Sequence, residues 1–229
     1  MKAIAVTATT LLLGLLFLQT AEAAEQVNEK EIKTPDEALA ALVAGNERFI
    51  SGDVLVQDFH AQIEATAEGQ QPFATVLSCL DSRIPPEIVF DQGIGDIFVG
   101  RVAGNIEDVN MLGSFEFASA VVGTKLLVVM GHTSCGAVKG ACANAQLDNL
   151  TDLLVQIQPA VELVRNERPN VDVCATPHVD HIATVNVERT IKDIRRKSPV
   201  LVNLEKEGKL KIVGAMYDIS TGQVTFLDG

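Results

Sequence analysis

The sequence predicts an α/β fold with a mostly parallel central sheet flanked by helices. Short apolar runs at 73–78, 97–102 and 126–130 are bounded like buried strands. Helix-like segments at 86–90 and 112–122 lie between them. Strand–helix–strand order implies right-handed crossovers and parallel pairing. The chain has 229 residues, 47% of them hydrophobic, which is enough to bury one sizeable core without a disulfide scaffold.

The N-terminus stands apart from this pattern. Met1-Lys2 is a short basic start, residues 3–18 are almost wholly apolar and uncharged, and Ala21-Glu22-Ala23 offers the small residues of a cleavage site. This reads as a secretory signal peptide over residues 1–23, leaving a single domain over 24–229. The apolar run is short and interrupted by Thr and Gly, so a membrane span is a poor fit, and an uncleaved anchor is the alternative. A periplasmic or secreted location follows, where disulfides are permitted.

Along the mature chain, Thr34-Pro35-Asp36-Glu37 combines an N-cap, a proline in the first turn and the glutamate of a capping box. The helix it opens is expected to reach Phe49, with Ser51-Gly52-Asp53 beyond it. Amphipathic helices are expected at 150–165 and 182–196, the first split or kinked by Pro159. A further helix at 199–207 ends at Gly208. Residues 211–219 and 223–227 are strand-like around the turn Ser220-Thr221-Gly222, so they read as a terminal hairpin.

Charge excludes some functions. Lys+Arg 18 against Asp+Glu 30 gives a net charge of -12, and the signal peptide removes one residue of each sign. Nucleic acid and anionic membrane surfaces select basic faces, so neither is an expected partner of the mature chain. With no Trp and one Tyr, a base-stacking surface is not expected either.

Chemistry gathers in two clusters. Cys79-Leu80-Asp81-Ser82-Arg83 follows the first expected strand, and His132-Thr133-Ser134-Cys135-Gly136 follows the third. Open parallel sheets place their sites at strand carboxyl ends, so both clusters emerge on one edge. Cys79, His132 and Cys135 make two thiolates and an imidazole, a zinc set with its fourth position open for catalysis. Asp81 can reach the metal or its water, and Arg83 can hold Asp81 ionised. Taken singly, each has an ordinary structural role open to it: buried core thiols, a satisfied core histidine, a simple ion pair.

These residues resemble the β-class carbonic anhydrases. The resemblance rests on Cys79-x-Asp81-Ser82-Arg83 and His132-x-x-Cys135. It extends through Gly45-Asn46-Glu47-Arg48-Phe49, Asp91-Gln92-Gly93, Arg101-Val102-Ala103-Gly104-Asn105 and Val128-Val129-Met130-Gly131-His132. It implies a β-carbonic anhydrase-like domain, one Zn²⁺ per chain on Cys79, His132 and Cys135, and reversible hydration of carbon dioxide to bicarbonate and a proton. It also implies a homodimer or higher homo-oligomer. Asp81, oriented by Arg83, would aim the attacking oxygen, and the Gly136 N–H would stabilise developing negative charge. The family branch in which the aspartate can close onto zinc carries Trp and Gly where this chain has Val76 and Ser78. The open branch carries Gln at the position of Gln70 and an apolar wall residue at Phe98; where some members have a Tyr, this chain has Phe117. The resemblance therefore implies substrate contacts from Gln70 and Phe98, and an Asp81 that does not ligate zinc.

Two alternatives stay open. The same fold and metal could serve a carbon dioxide analogue such as carbon disulfide, or the chain could be a non-catalytic zinc-binding module. Cys142 and Cys174 are not needed for zinc, and in an oxidising compartment they can pair as a disulfide or remain two buried thiols. His178-x-x-His181 is read as plain surface residues rather than a second metal site.

Overall fold

The computed structural model describes residues 32–176 and 178–227. The segment 1–23, expected to be a signal peptide, lies outside the described residues. Among the described residues, no helix is long and apolar enough to cross a membrane.

Helix α1 (Pro35–Ser51) begins with the expected capping box: Thr34 accepts from the Glu37 N–H at 3.2 Å, and Glu37 accepts in return from the Thr34 N–H at 3.1 Å. Gly52, at φ 84°, ends it. Its buried face carries Gly45 and Asn46. A Cβ at Gly45 would stand 1.8 Å from the Phe90 carbonyl oxygen, so only glycine allows this approach. Asn46 donates to Val89 O and Gly222 O and accepts from the Val224 N–H at 2.8 Å. Arg48 pairs with the buried Asp91 at 2.5 Å. These residues thus tie α1 to the sheet edge, and helix α2 (Phe59–Thr66) follows.

The sheet then builds in order. Strand β1 (Ala74–Ser78) leads through α3 (Pro86–Val89) to β2 (Ile97–Arg101). A 3₁₀ turn (Ala103–Asn105), α4 (Val109–Glu116) and a π turn (Phe117–Val122) lead to β3 (Leu126–His132). Next come α5 (Gly136–Cys142), α6 (Asp148–Val155), α7 (Gln158–Glu167), α8 (His178–Lys197) and α9 (Pro199–Lys206). Strands β4 (Lys211–Tyr217) and β5 (Val224–Phe226) close the sheet as the expected hairpin. Pro159 falls in the first turn of α7, and the expected single helix breaks into α6 and α7 just before it.

Strand order is β2-β1-β3-β4-β5, parallel except for the antiparallel β4–β5 pair. Central strand β3 is buried throughout. Its alternate residues enter two cores: Leu126, Val128 and Met130 pack with Leu42 and Ile157, whereas Leu127 and Val129 pack with Phe115, Val187 and Ile194. Helices therefore cover both faces, the arrangement that makes parallel strands read as unbroken apolar runs. From β1 the chain runs outward to β2 on one side, and β3 lies on the other. The carboxyl ends of β1 and β3 therefore sit side by side where the strand order reverses.

Candidate functional site

The register of β1 on β3 places Ser78 opposite Met130. Cys79 is the next residue after β1. Strand β3 runs two residues past Met130, so His132 ends it rather than following it. Cys135 caps α5 after the turn Thr133-Ser134. The three ligand atoms lie within 4.8 Å of one another, and all three residues are buried. The two sulfurs are 4.0 Å apart.

Hydrogen bonding fixes the histidine tautomer. His132 Nδ1 stands 2.9 Å from the Thr133 carbonyl oxygen, which can only accept, so Nδ1 carries the proton. The other nitrogen, Nε2, is buried with no hydrogen-bond partner. A buried acceptor without a donor is costly, and it sits among two thiols as a metal ligand would. The sulfurs are prepared as well. A hydrogen bond from Cys135 is the main force holding the Cys79 thiol well below its usual range, with help from the Gly104 N–H at 3.3 Å. The same contact, with burial, pushes Cys135 up. The pair thus stabilises one negative charge by itself, and a soft divalent cation supplies what would ionise both. Two thiolates and an imidazole suit zinc.

Asp81 stands beside this group, its Oδ2 3.9 Å from His132 Nε2. Both of its oxygens are engaged by Arg83: Nε at 2.9 Å, Nη2 at 2.6 Å and the backbone N–H at 3.0 Å. These bonds hold the Asp81 carboxyl far below the ordinary carboxylate range. Gly136 opens α5 with no atom within 4 Å of where its Cβ would be. Cys79, Asp81, Arg83, His132, Cys135 and Gly136 therefore share the end of two adjacent strands.

Gln70 and Phe98 do not join them in this chain. Phe98 pairs with Thr75, four residues before Cys79 and about 13 Å down the strand. Its ring lies 6.4 Å from that of Phe117. Gln70 is exposed in the segment before β1.

Sequence reasoning assigned no role to the fixtures around the ligands. Arg101, at the end of β2 in register with Ser78, donates to the carbonyls of Cys79 at 3.1 Å and Leu80 at 3.2 Å, and to that of Asp81. Its position at the carboxyl end of an expected strand was the available signal. Thr133 is tied to the end of β4 by its N–H, which donates to Tyr217 O at 2.9 Å, and to the turn beyond it by its hydroxyl, which accepts from the Ile219 N–H at 3.1 Å. Ser134 adopts φ 56°, which costs a non-glycine residue about 1–2 kcal/mol, and its N–H donates to Asp180 Oδ1 at 2.6 Å.

Cys142 and Cys174 form a disulfide with a Cα–Cα distance of 5.6 Å, joining the end of α5 to the segment before α8. His178 and His181 instead face Arg168 and Glu167. Among the described residues, the Cys79, His132 and Cys135 group is the one metal-competent cluster.

Comparison with known proteins gives a consistent result. Residues 74–224 match the family model described as carbonic anhydrase. Carbonic anhydrase 2 of Mycobacterium tuberculosis is 36% identical over 200 residues, covering 85% of this chain and 93% of that protein. The carbonic anhydrase of Mycolicibacterium smegmatis is 34% identical over 198 residues, covering 83% and 92%. The solved β-carbonic anhydrase CafA of Aspergillus fumigatus superposes with a TM-score of 0.67 at 28% identity, covering 83% of this chain and 90% of that one. A β-carbonic anhydrase of Sordaria macrospora, described as tetrameric, gives 0.66 at 26% identity, covering 74% and 91%.

Proposed function

This chain belongs to the β-carbonic anhydrase family, and we propose that it catalyses the zinc-dependent, reversible hydration of carbon dioxide to bicarbonate and a proton. The observation that carries this reading is the buried Cys79, His132 and Cys135 group, with His132 Nε2 left without a donor. These residues would hold one zinc per chain. Zinc bound there would supply the Lewis acidity that lets water give up a proton near neutral pH.

The chain's own residues do the remaining work. Asp81 stays ionised because Arg83 saturates it with three donors. It therefore acts as a fixed acceptor that orients the attacking hydroxyl, and its commitment to Arg83 opposes its serving as a ligand. Arg101 holds the carbonyls of residues 79–81, and so the spacing between Cys79 and Asp81. The Gly136 N–H at the start of α5 would donate to the substrate oxygen on which charge develops. A steady-state hydration assay on zinc-loaded protein tests the reading. Activity should track zinc content, and Cys79→Ser should lower both. A zinc-replete protein that does not accelerate hydration over buffer would overturn it.

A homo-oligomer is part of the same proposal. Among the described residues, strand β2 is a sheet edge, and the nearby residues Val109, Phe117 and Val121 are exposed apolar groups. Gln70 and Phe98 lie too far from their own chain's metal group to touch substrate there, so a substrate role for them requires a second copy. Sedimentation at micromolar concentration checks the assembly, and a monomer would sink it. We also propose export with cleavage after Ala23. The Cys142–Cys174 bond supports this, since disulfides persist in oxidising compartments. Mass spectrometry of protein from its native host should find Ala24 at the N-terminus; retained Met1 would refute it.

A further inference from the structure

His132 and Cys135 are held by different means. His132 ends β3, where pairing with Tyr217 fixes its backbone. Cys135 lies beyond the strand, and the direction of its sulfur depends on the two residues between. Thr133 is anchored at its N–H to the end of β4 and at its hydroxyl to Ile219, two residues beyond it. Ser134, the residue directly before Cys135, has its N–H anchored by α8 instead. It sits in the left-handed region, a conformation that persists only where neighbouring contacts enforce it. The enforcing contact is the 2.6 Å hydrogen bond from its N–H to Asp180 Oδ1. Asp180 is itself immobilised: it lies in the first turn of α8, between the buried residues Val179 and Ile182. A carboxylate at a helix N-terminus is favoured by the helix dipole, and a charged acceptor makes the stronger bond.

We propose that Asp180 is a positioning residue for the metal centre, fixing the Ser134 peptide and with it the direction in which Cys135 presents its sulfur. This rests on the zinc reading above. Asp180 touches neither metal nor substrate; it acts through one backbone N–H, 46 residues away in sequence. Groups that orient metal ligands in this way cost about 10–100-fold in metal affinity or activity when removed.

The test compares wild type with Asp180→Ala, Asp180→Asn, Asp180→Glu and the disulfide-free variant C142A/C174A. The visible absorption bands of the cobalt-substituted proteins, at metal saturation, report ligand geometry. Zinc release into excess chelator reports retention. Asp180→Ala should shift the cobalt bands and release zinc about 10–100-fold faster. Asp180→Asn keeps an acceptor oxygen and should restore both. Asp180→Glu moves the acceptor by one methylene and should behave like Asp180→Ala, which preserves the test if the alanine variant does not fold. C142A/C174A loses stability while leaving Asp180 and the turn residues 133–135 themselves unchanged and should keep wild-type bands, separating positioning from a general loosening. Wild-type bands and zinc release in Asp180→Ala and Asp180→Glu would overturn the proposal, as would an Asp180→Asn as impaired as the alanine variant. A wild type that takes up neither metal would overturn the functional reading together with this one.

Discussion

Removing the Cys142–Cys174 bond should destabilise the domain by an amount set by the loop it closes. The two residues are 32 apart in sequence. The chain-entropy relation for a loop of that length gives about 3.7 kcal/mol at 25 °C, through restriction of the unfolded chain. For a domain of about 200 residues this corresponds to a drop in Tm of roughly 7–15 °C. Replacing both cysteines with alanine leaves little else to lose. Both sulfurs lie at the margin of the core rather than its centre, and the Arg165 contact to Cys174, at 3.6 Å, is weak. The assay is guanidinium unfolding of C142A/C174A against wild type without reductant, with zinc saturating in both so that metal linkage is equal. The variant's unfolded chain is less restrained, so its m-value should rise as its midpoint falls. Wild type treated with reductant should move toward the variant. A stability difference under about 1 kcal/mol, or a wild type indifferent to reductant, would refute the assignment of the bond as a constraint on the unfolded state.

Further outcomes follow from the site. Asp81→Asn should lower kcat/KM by about 10–100-fold while zinc content stays at one per chain, as expected for an orienting acceptor and not a ligand; loss of zinc would contradict that role. Arg83→Ala should return Asp81 toward ordinary carboxylate behaviour. A carboxyl depressed in the folded state adds stability above its unfolded pKa of about 3.9 and loses it as pH falls through the folded value. The stability gap between wild type and Arg83→Ala should therefore be full at pH 6 and shrink below about pH 4. Urea unfolding at both pH values checks this, and a gap that widens in acid would be the contrary result. Gly45→Ala should destabilise the domain by about 1–3 kcal/mol, because its Cβ would meet the Phe90 carbonyl at 1.8 Å. A thermal melt unchanged from wild type would show that α1 moves freely against α3.

Much of the fold is legible in the sequence because its two central strands β1 and β3 are buried on both faces. Residues of β1 and β3 read as continuous apolar runs, and their ends were found to within about two residues. Pro159 announces the break between α6 and α7 by local chemistry alone. Helix α2 left no such trace. It buries none of its residues, so no apolar stripe marks it, and only the Asp58 side chain, capping the Ala61 N–H at 3.0 Å, hints at its start. The π turn at Phe117–Val122 is equally hidden, because a shifted hydrogen-bond register changes no residue type.

The site divides along the same physical line. Cysteine and histidine are scarce in this chain, so two thiols and an imidazole after two expected strands stand out by composition. Aspartate and arginine are common and solvated; nothing local separates Asp180 from its surface counterparts, and Arg101 is marked by its place at the carboxyl end of an expected strand but not by what it holds. What makes each a fixture is a contact made across the fold: Asp180 to the Ser134 N–H, and Arg101 to the carbonyls that follow β1. The folded structure is needed to find them because their partners are backbone groups, which every residue carries. The ligands alone fix which metal suits the site. The fixtures decide whether Cys135 and Asp81 are held still enough for it to act, and a homologue that kept all three ligands but lost both fixtures should bind zinc loosely and turn over slowly.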